Sequence, residues 1–100
     1  MAKESTIRRH AHDTLVADGW VCWWAPHVRY RQEQDIFGVY DAVCAKPGEF
    51  PRFIQITSKS NISARKKKVL SFLTRTGVEV WSEVWGYDAS TRSFKVVEVK

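Results

Sequence analysis

Two aspartates and a glutamine stand in a largely apolar part of the chain, the stretch QDIFGVYDAVCAKPGEFPRFIQITSKSN at residues 34–61. Asp41 lies in the middle of a predicted strand, where aspartate is depleted, and Asp35 precedes that strand. Burying a carboxylate is costly unless a cation or hydrogen-bond donors meet it. Carboxylate oxygens, with an amide oxygen such as that of Gln55, are hard ligands that suit Mg²⁺. The residue types therefore favour a metal site over a turn or capping role for Asp41.

These side chains need a scaffold that brings them together, and the pattern predicts a β-hairpin. Residues 38–45 and 52–57 are rich in apolar and β-branched side chains, as strands are. The segment KPGEFP joins them, and its Pro47-Gly48 pair is a strong turn signal. We therefore expect two antiparallel strands.

Alternation of side chains across these strands predicts which residues meet. Asp41 shares a face with alternate residues of the first strand, and Gln55 and Thr57 share a face of the second. If the register joins these faces, the three side chains converge near the open end of the hairpin, where Lys59 also lies. The candidate metal ligands are Asp41, Gln55, Asp35 and the backbone carbonyl of Ile56.

Helices are predicted before and after this hairpin. Ser5 or Thr6 can cap a first helix, which Gly19 ends, and the following segment WVCWWAPHVRY reads as a strand that ends or bends at Pro26. A second helix is predicted over residues 62–75. The segments VEVWSEVWGY and FKVVEV, separated by the turn DASTRS, predict a closing hairpin.

The predicted order is helix, three strands, helix, two strands, which can be written αβββαββ. This order indicates a mixed α/β sheet of about five strands flanked by two helices. A chain of 100 residues that is 44% hydrophobic can bury one core of modest size, so we expect residues 1–100 to form one domain.

The positive charge is concentrated in the second half of the chain. Net charge is +5, yet residues 1–50 hold six basic and seven acidic residues, whereas residues 51–100 hold ten and four. No acidic residue occurs between Glu49 and Glu79. Such a basic stretch suggests a polyanionic partner, most simply nucleic acid, although a solvated helix face is the alternative. The candidate nucleic-acid-binding residues are Arg52, Arg65, Lys66, Lys67 and Lys68.

The sequence also bears on location and redox state. The N-terminal MAKESTIRRHAHD is charged where a secretory leader needs an apolar run, and no run of apolar residues is long enough to cross a membrane. Cys22 and Cys44 have apolar neighbours and are expected to be reduced core residues. We expect a cytoplasmic protein without a membrane partner.

Five tryptophans allow two further interpretations. Trp20, Trp23 and Trp24 cluster beside an apolar strand and are expected in the core. Trp81 and Trp85 share a strand face with acidic residues, an arrangement equally suited to base stacking or to a dimer interface.

The segments DIFGVYDAV, a Pro/Gly turn and FIQITS resemble the core of the PD-(D/E)xK nuclease superfamily. The small archaeal and phage Holliday junction resolvase-like members are the most similar, also in their order of helices and strands. In that superfamily an Asp on one hairpin strand and a D/E-x-K triplet on the next bind a divalent metal and activate water. The resemblance implies a restriction endonuclease-like fold, Mg²⁺ or Mn²⁺ as cofactor, DNA as substrate and a prokaryotic, archaeal or phage source.

Position by position, the resemblance assigns the motif Asp to Asp41, the second acid to Gln55 and the lysine to Thr57. Gln for an acid keeps an oxygen ligand but removes a negative charge, and Thr for Lys removes a cation. Lys59, on the same strand face if the strand continues, can supply the missing cation.

The missing negative charge has three candidate sources, which are Asp35, Glu33 and, more remotely, Glu4 on the first helix. With these replacements, the resemblance implies a Mg²⁺-dependent endodeoxyribonuclease, which we expect to be structure-selective for branched or duplex DNA and to work as a homodimer. The alternative is a catalytically inactive nucleic-acid-binding module on the same fold. A third hypothesis is a small interaction protein whose basic helix is merely solvated.

Overall fold

Two helices and five strands follow one another in residues 4–26 and 35–100, the parts of the chain that the computed structural model describes. A short 3₁₀ turn, Lys59–Asn61, joins the third strand to the second helix. The elements are α1 (Glu4–Ala17), β1 (Val21–Trp24), β2 (Ala42–Ala45), β3 (Arg52–Ser58), α2 (Ile62–Thr76), β4 (Trp81–Asp88) and β5 (Ser93–Val99).

The five strands form one sheet in which each strand lies beside its neighbour in the sequence, in the order β1-β2-β3-β4-β5. All pairs are antiparallel except β3 and β4, which are parallel and are connected by α2. The predicted α/β class, with a mixed five-stranded sheet and two flanking helices, is therefore confirmed. So are both predicted hairpins.

Helix α1 covers one face of the sheet. Its buried residues Ile7, Ala11 and Leu15 recur every four positions, which places them in one stripe along the helix. This stripe packs against one set of alternating strand residues, including Ile54 and Ile56 of β3. The alternating neighbours of Ile54 and Ile56 must therefore face the other side of the sheet.

Helix α2 covers that other side. Its buried residues Val69 and Phe72 pack with Tyr40 and with Val84 in β4. The helix ends at Gly77, whose φ of 71° is the left-handed conformation that glycine adopts without strain. No helix in the described residues is long and apolar enough to span a membrane.

Two predicted strands begin later than the sequence pattern suggests. The predicted start at residue 38 is wrong because residues 36–40 form a turn, in which the N–H of Ile36 donates to the Tyr40 carbonyl at 2.7 Å. Phe37 and Gly38 both have positive φ there, 56° and 72°, which extended strands do not allow. Strand β4 begins at Trp81 because its pairing with β3 begins opposite Arg52.

Three of the tryptophans surround Arg52. The Arg52 guanidinium pairs with Glu83, and its Cζ lies 4.8, 4.9 and 5.5 Å from the ring centres of Trp20, Trp81 and Trp85. Both Trp81 and Trp85 donate their indole N–H to the Glu83 carboxylate, at 3.1 and 2.9 Å. Trp85 is thus a core residue, which corrects its interpretation as an interface residue.

The N-terminal tryptophan cluster also divides differently from the prediction. Trp20 is buried as expected, but Trp23 is 57% exposed on the edge strand β1. Cys22 and Cys44 are free thiols that lie directly opposite each other on β1 and β2, and Cys44 is fully buried.

Candidate metal-binding site

The β2–β3 hairpin brings Asp41 and Gln55 into direct contact. Ala42 lies opposite Ile54, and the Asp41 N–H continues the ladder by donating to the Ile54 carbonyl at 2.7 Å. Asp41 therefore stands opposite Gln55, whose Nε2 donates to Asp41 Oδ2 at 2.6 Å. The backbone N–H of Ile56 donates to the same oxygen at 2.7 Å. Both side chains lie on the α2 side of the sheet, because they alternate with residues that pack on α1.

Asp41 is a buried carboxylate in a negatively charged neighbourhood. Its exposed fraction is only 2%, and this burial raises the pKa of Asp41 from its ordinary value of 3.8 to about 6. The hydrogen bond from the Ile56 N–H opposes the rise, whereas the negative charges of Asp35 and Glu4 add to it. Two carboxylates from separate parts of the chain therefore act on Asp41. A cation at this point would relieve both the burial cost and the repulsion.

Gln55 supplies a buried amide oxygen next to Asp41. The residue is 2% exposed, and its Oε1 is buried without a hydrogen bond in the described residues. Its Nε2 also makes a long contact of 3.4 Å with the Ile56 carbonyl. Buried polar atoms normally have a hydrogen-bond partner. An acceptor without one, beside a carboxyl group whose pKa is raised, therefore requires an explanation. A half-turn of the amide exchanges its oxygen and nitrogen, which would turn the acceptor toward Asp41.

The donor set fits a hydrated cation better than a closed cage. No group of three His, Cys, Asp or Glu side chains within residues 4–26 and 35–100 is arranged to hold a metal ion. Mg²⁺ commonly takes only one or two carboxylates and keeps several waters. Asp41, the Gln55 amide oxygen and the Ile56 carbonyl fit that pattern, with Asp35 and Glu4 as nearby negative charges.

The two residues predicted to complete the chemistry differ in where they lie. Thr57 is buried beside Gly86 of β4, on the same strand face as Gln55, as predicted. Lys59 is not on that face, because β3 ends at Ser58 and Lys59 begins the 3₁₀ turn. Its Nζ lies 3.3 Å from Asp88 Oδ2, at the end of β4. The expectation that Lys59 continues the strand and reaches the site is therefore corrected.

The other predicted positions divide into an exposed group and a buried one. Lys66, Lys67 and Lys68 are exposed on α2, Arg65 is half-buried, and none of them forms an ion pair within the described part of the chain. The Arg52 side chain is only 12% exposed, because it lies among the indole rings described above and pairs with Glu83. It is therefore not part of the exposed basic surface of α2. Glu33 lies outside the described residues.

The sequence pattern does not assign a binding role to the polar surface of α1. Glu4, Arg8 and His12 recur every four residues and therefore lie on one face of the helix, where they line a cavity together with Trp24. The spacing is visible in the sequence, but one charged neighbour of each residue, Lys3, Arg9 and Asp13 respectively, conceals it. Its position becomes clear only because Glu4 also acts electrostatically on Asp41.

The site thus combines the buried Asp41 carboxylate with the Gln55 amide oxygen, which has no partner in the part of the chain that the structure describes. The negative charges of Asp35 and Glu4 act on it from outside the sheet, and the basic helix α2 covers the same side of the sheet. No family model, curated protein or solved structure matches this chain.

Proposed function

We propose that this chain is a metal-dependent endonuclease that hydrolyses DNA phosphodiester bonds on a restriction endonuclease-like fold. The observation that carries the proposal is the contact of buried Asp41 with Gln55, whose Oε1 is buried and has no hydrogen-bond partner within residues 4–26 and 35–100. The order αβββαββ and the antiparallel hairpin that bears both residues agree with the resemblance to the PD-(D/E)xK superfamily.

Asp41, Gln55 Oε1 and the Ile56 carbonyl would hold Mg²⁺ or Mn²⁺, with Asp35 and Glu4 adding negative charge. When bound, such an ion polarises the phosphate and lowers the pKa of the attacking water. The chain itself holds Asp41 in place through the Ile56 N–H and shields it from bulk water through burial. Fixed, buried oxygen donors need little rearrangement when charge develops.

The substrate class follows from charge. Lys66, Lys67 and Lys68 are exposed on α2, and Asp41 and Gln55 face the same side of the sheet. Contacts from such side chains to phosphates position a nucleic acid without reading its bases. We therefore infer structure-selective action on branched or duplex DNA. A domain of 100 residues offers little surface for a junction, so a homodimer is part of the proposal, as is action in the cytoplasm.

The second candidate is a nucleic-acid-binding module on the same fold that lacks catalysis. It is favoured by Thr57, which carries no charge, and by Lys59, which pairs with Asp88 instead of Asp41. It is also favoured by the Gln55 Nε2, which donates a hydrogen bond to Asp41 and so partly takes the place of a cation.

Cleavage of labelled DNA separates these candidates. A four-way junction, a duplex and a single strand are incubated with Mg²⁺ or Mn²⁺ and the parent, Asp41→Asn or Asp13→Asn, the last being an exposed α1 carboxylate that serves as a matched control. Cleavage by the parent and by Asp13→Asn that vanishes with EDTA and with Asp41→Asn supports the enzyme. Salt-sensitive binding without cleavage supports the module. Absence of both cleavage and binding refutes both candidates. The third hypothesis, a small interaction protein whose basic helix is solvated, then remains.

A further inference from the structure

A cavity of about 560 Å³ lies along α1, on the side where the chain leaves β1. Two arginines and a histidine contribute to its lining. The lining residues are Glu4, Ser5, Arg8, Arg9, His12 and Trp24.

Arg8 is held in a fixed position with a donor left unused. Its Nη1 donates to the Ala25 carbonyl at 2.7 Å, and its Cζ lies 5.2 Å from the ring centre of Trp24. Its Nε is buried and has no partner among the described residues. A guanidinium fixed by stacking and by one hydrogen bond loses little further freedom when an oxyanion engages its remaining donors.

His12 is oriented by the same indole. Trp24 donates its Nε1–H to His12 Nδ1 at 3.0 Å, so Nδ1 is an acceptor and the proton of the neutral ring lies on Nε2. The Nε2–H makes no hydrogen bond within the described residues. His12 can therefore donate a second hydrogen bond to a ligand in the cavity.

One wall residue of the cavity acts electrostatically on the candidate metal site. Glu4 belongs to its wall, and the charge of Glu4 acts on buried Asp41. The basic side chains of the cavity can donate hydrogen bonds to one phosphate of a nucleic acid. The carboxylates of the candidate metal site can hold a cation that contacts the next phosphate.

We propose that this cavity binds a backbone phosphate of a nucleic acid, next to the phosphate that the Asp41 site addresses. The proposal rests on the proposed function and extends it to α1. Arg8 and His12 donate hydrogen bonds to the phosphate, and Arg9 adds positive charge at the rim. Trp24 holds the side chains of Arg8 and His12 in position. The nucleic acid would then be gripped from two sides, by α2 and by α1.

The experiment measures oligonucleotide binding without divalent cations, so that cleavage and metal affinity do not enter. A labelled twelve-base-pair DNA duplex and inorganic phosphate are titrated into the parent, Arg9→Gln and Lys95→Gln, the last a matched exposed cation on β5. Arg9 is exposed, so its replacement leaves the fold intact, whereas Arg8→Gln is a second variant whose folding is checked first. The Trp24 indole N–H resonance, assigned with Trp24→Phe, reports on the cavity itself.

We expect Arg9→Gln to weaken oligonucleotide binding and to reduce the slope of log Kd against log salt by about 1, with no change in Lys95→Gln. The Trp24 resonance should shift when the oligonucleotide is added, and shift less in Arg8→Gln. Binding that weakens in Lys67→Gln, but neither moves the Trp24 resonance nor depends on Arg9, overturns this inference and leaves the proposed function standing. Binding of inorganic phosphate but not of the oligonucleotide overturns nucleic acid as the partner. If neither probe binds, both this inference and the proposed function are overturned.

Discussion

Replacing Asp41 by Asn should stabilise the protein at neutral pH in the absence of metal. Asp41 is buried, and its pKa is raised to about 6, mainly because burial disfavours the charged form. Asn has nearly the same shape, and its carbonyl oxygen can still accept hydrogen bonds from the Ile56 N–H and the Gln55 amide. The substitution therefore removes the buried charge while keeping the contacts.

The size of the effect follows from the pKa. A rise from 3.8 to about 6 corresponds to about 3 kcal/mol, because each pKa unit is worth about 1.4 kcal/mol. Between these pH values the native state binds more protons than the unfolded state, so the free energy of unfolding falls as pH rises. The favourable contribution of protonated Asp41 is complete below pH 3.8 and is lost above pH 6. Asn at this position should have no such loss.

Urea denaturation of the parent and of Asp41→Asn, at intervals from pH 4 to pH 8 with EDTA present, measures the difference. We expect the two variants to diverge through this range and to differ by up to about 3 kcal/mol at pH 8. Asp88→Asn is the control: hydrogen bonds from Ser90 lower the pKa of Asp88 to about 2, so this substitution should destabilise the protein by an amount that stays constant from pH 4 to pH 8. Parallel pH profiles for the parent and Asp41→Asn would refute the reasoning.

Three further predictions concern the site and the two cores. With Mn²⁺ or Mg²⁺ at pH 8 the melting temperature of the parent should rise as ligand concentration exceeds Kd, and that of Asp41→Asn should not; equal shifts in both would show that the ion binds elsewhere. Arg52→Met should cost about 3–5 kcal/mol in urea denaturation, because it leaves the buried Glu83 carboxylate without its cation, and a cost below about 1 kcal/mol would contradict that role. Gly86→Ala should cost about 1–3 kcal/mol, because its Cβ would overlap the Ile62 side chain, and Ile62→Ala in the same chain should recover part of that loss; no recovery would point to a different cause.

Local patterns were sufficient for most of the fold. The spacing of Ile7, Ala11 and Leu15 predicts α1 and the face it buries, because helix geometry alone determines which residues share a side. The alternation that sets Asp41 opposite Gln55 depends equally on geometry, once the hairpin register is given by its turn.

Features that depend on distant partners were not predictable in this way. Arg52 reads as one more cation in a basic stretch, since nothing nearby reveals Glu83, which lies 31 residues away in the chain. The end of β3 at Ser58 likewise depends on the 3₁₀ turn and on the pairing of Lys59 with Asp88. Pairing across the sheet therefore decides which charges remain available for binding.

The most direct measurement is the anomalous diffraction of crystals grown or soaked with Mn²⁺ near pH 8. We predict a peak within about 2.5 Å of the Asp41 carboxylate, with the Gln55 amide turned so that Oε1 faces the ion. The same crystals of Asp41→Asn should lack the peak. A fully occupied peak elsewhere, or none at Asp41 while Gln55 Nε2 keeps its hydrogen bond to the carboxylate, would contradict the assignment of these residues as a metal site.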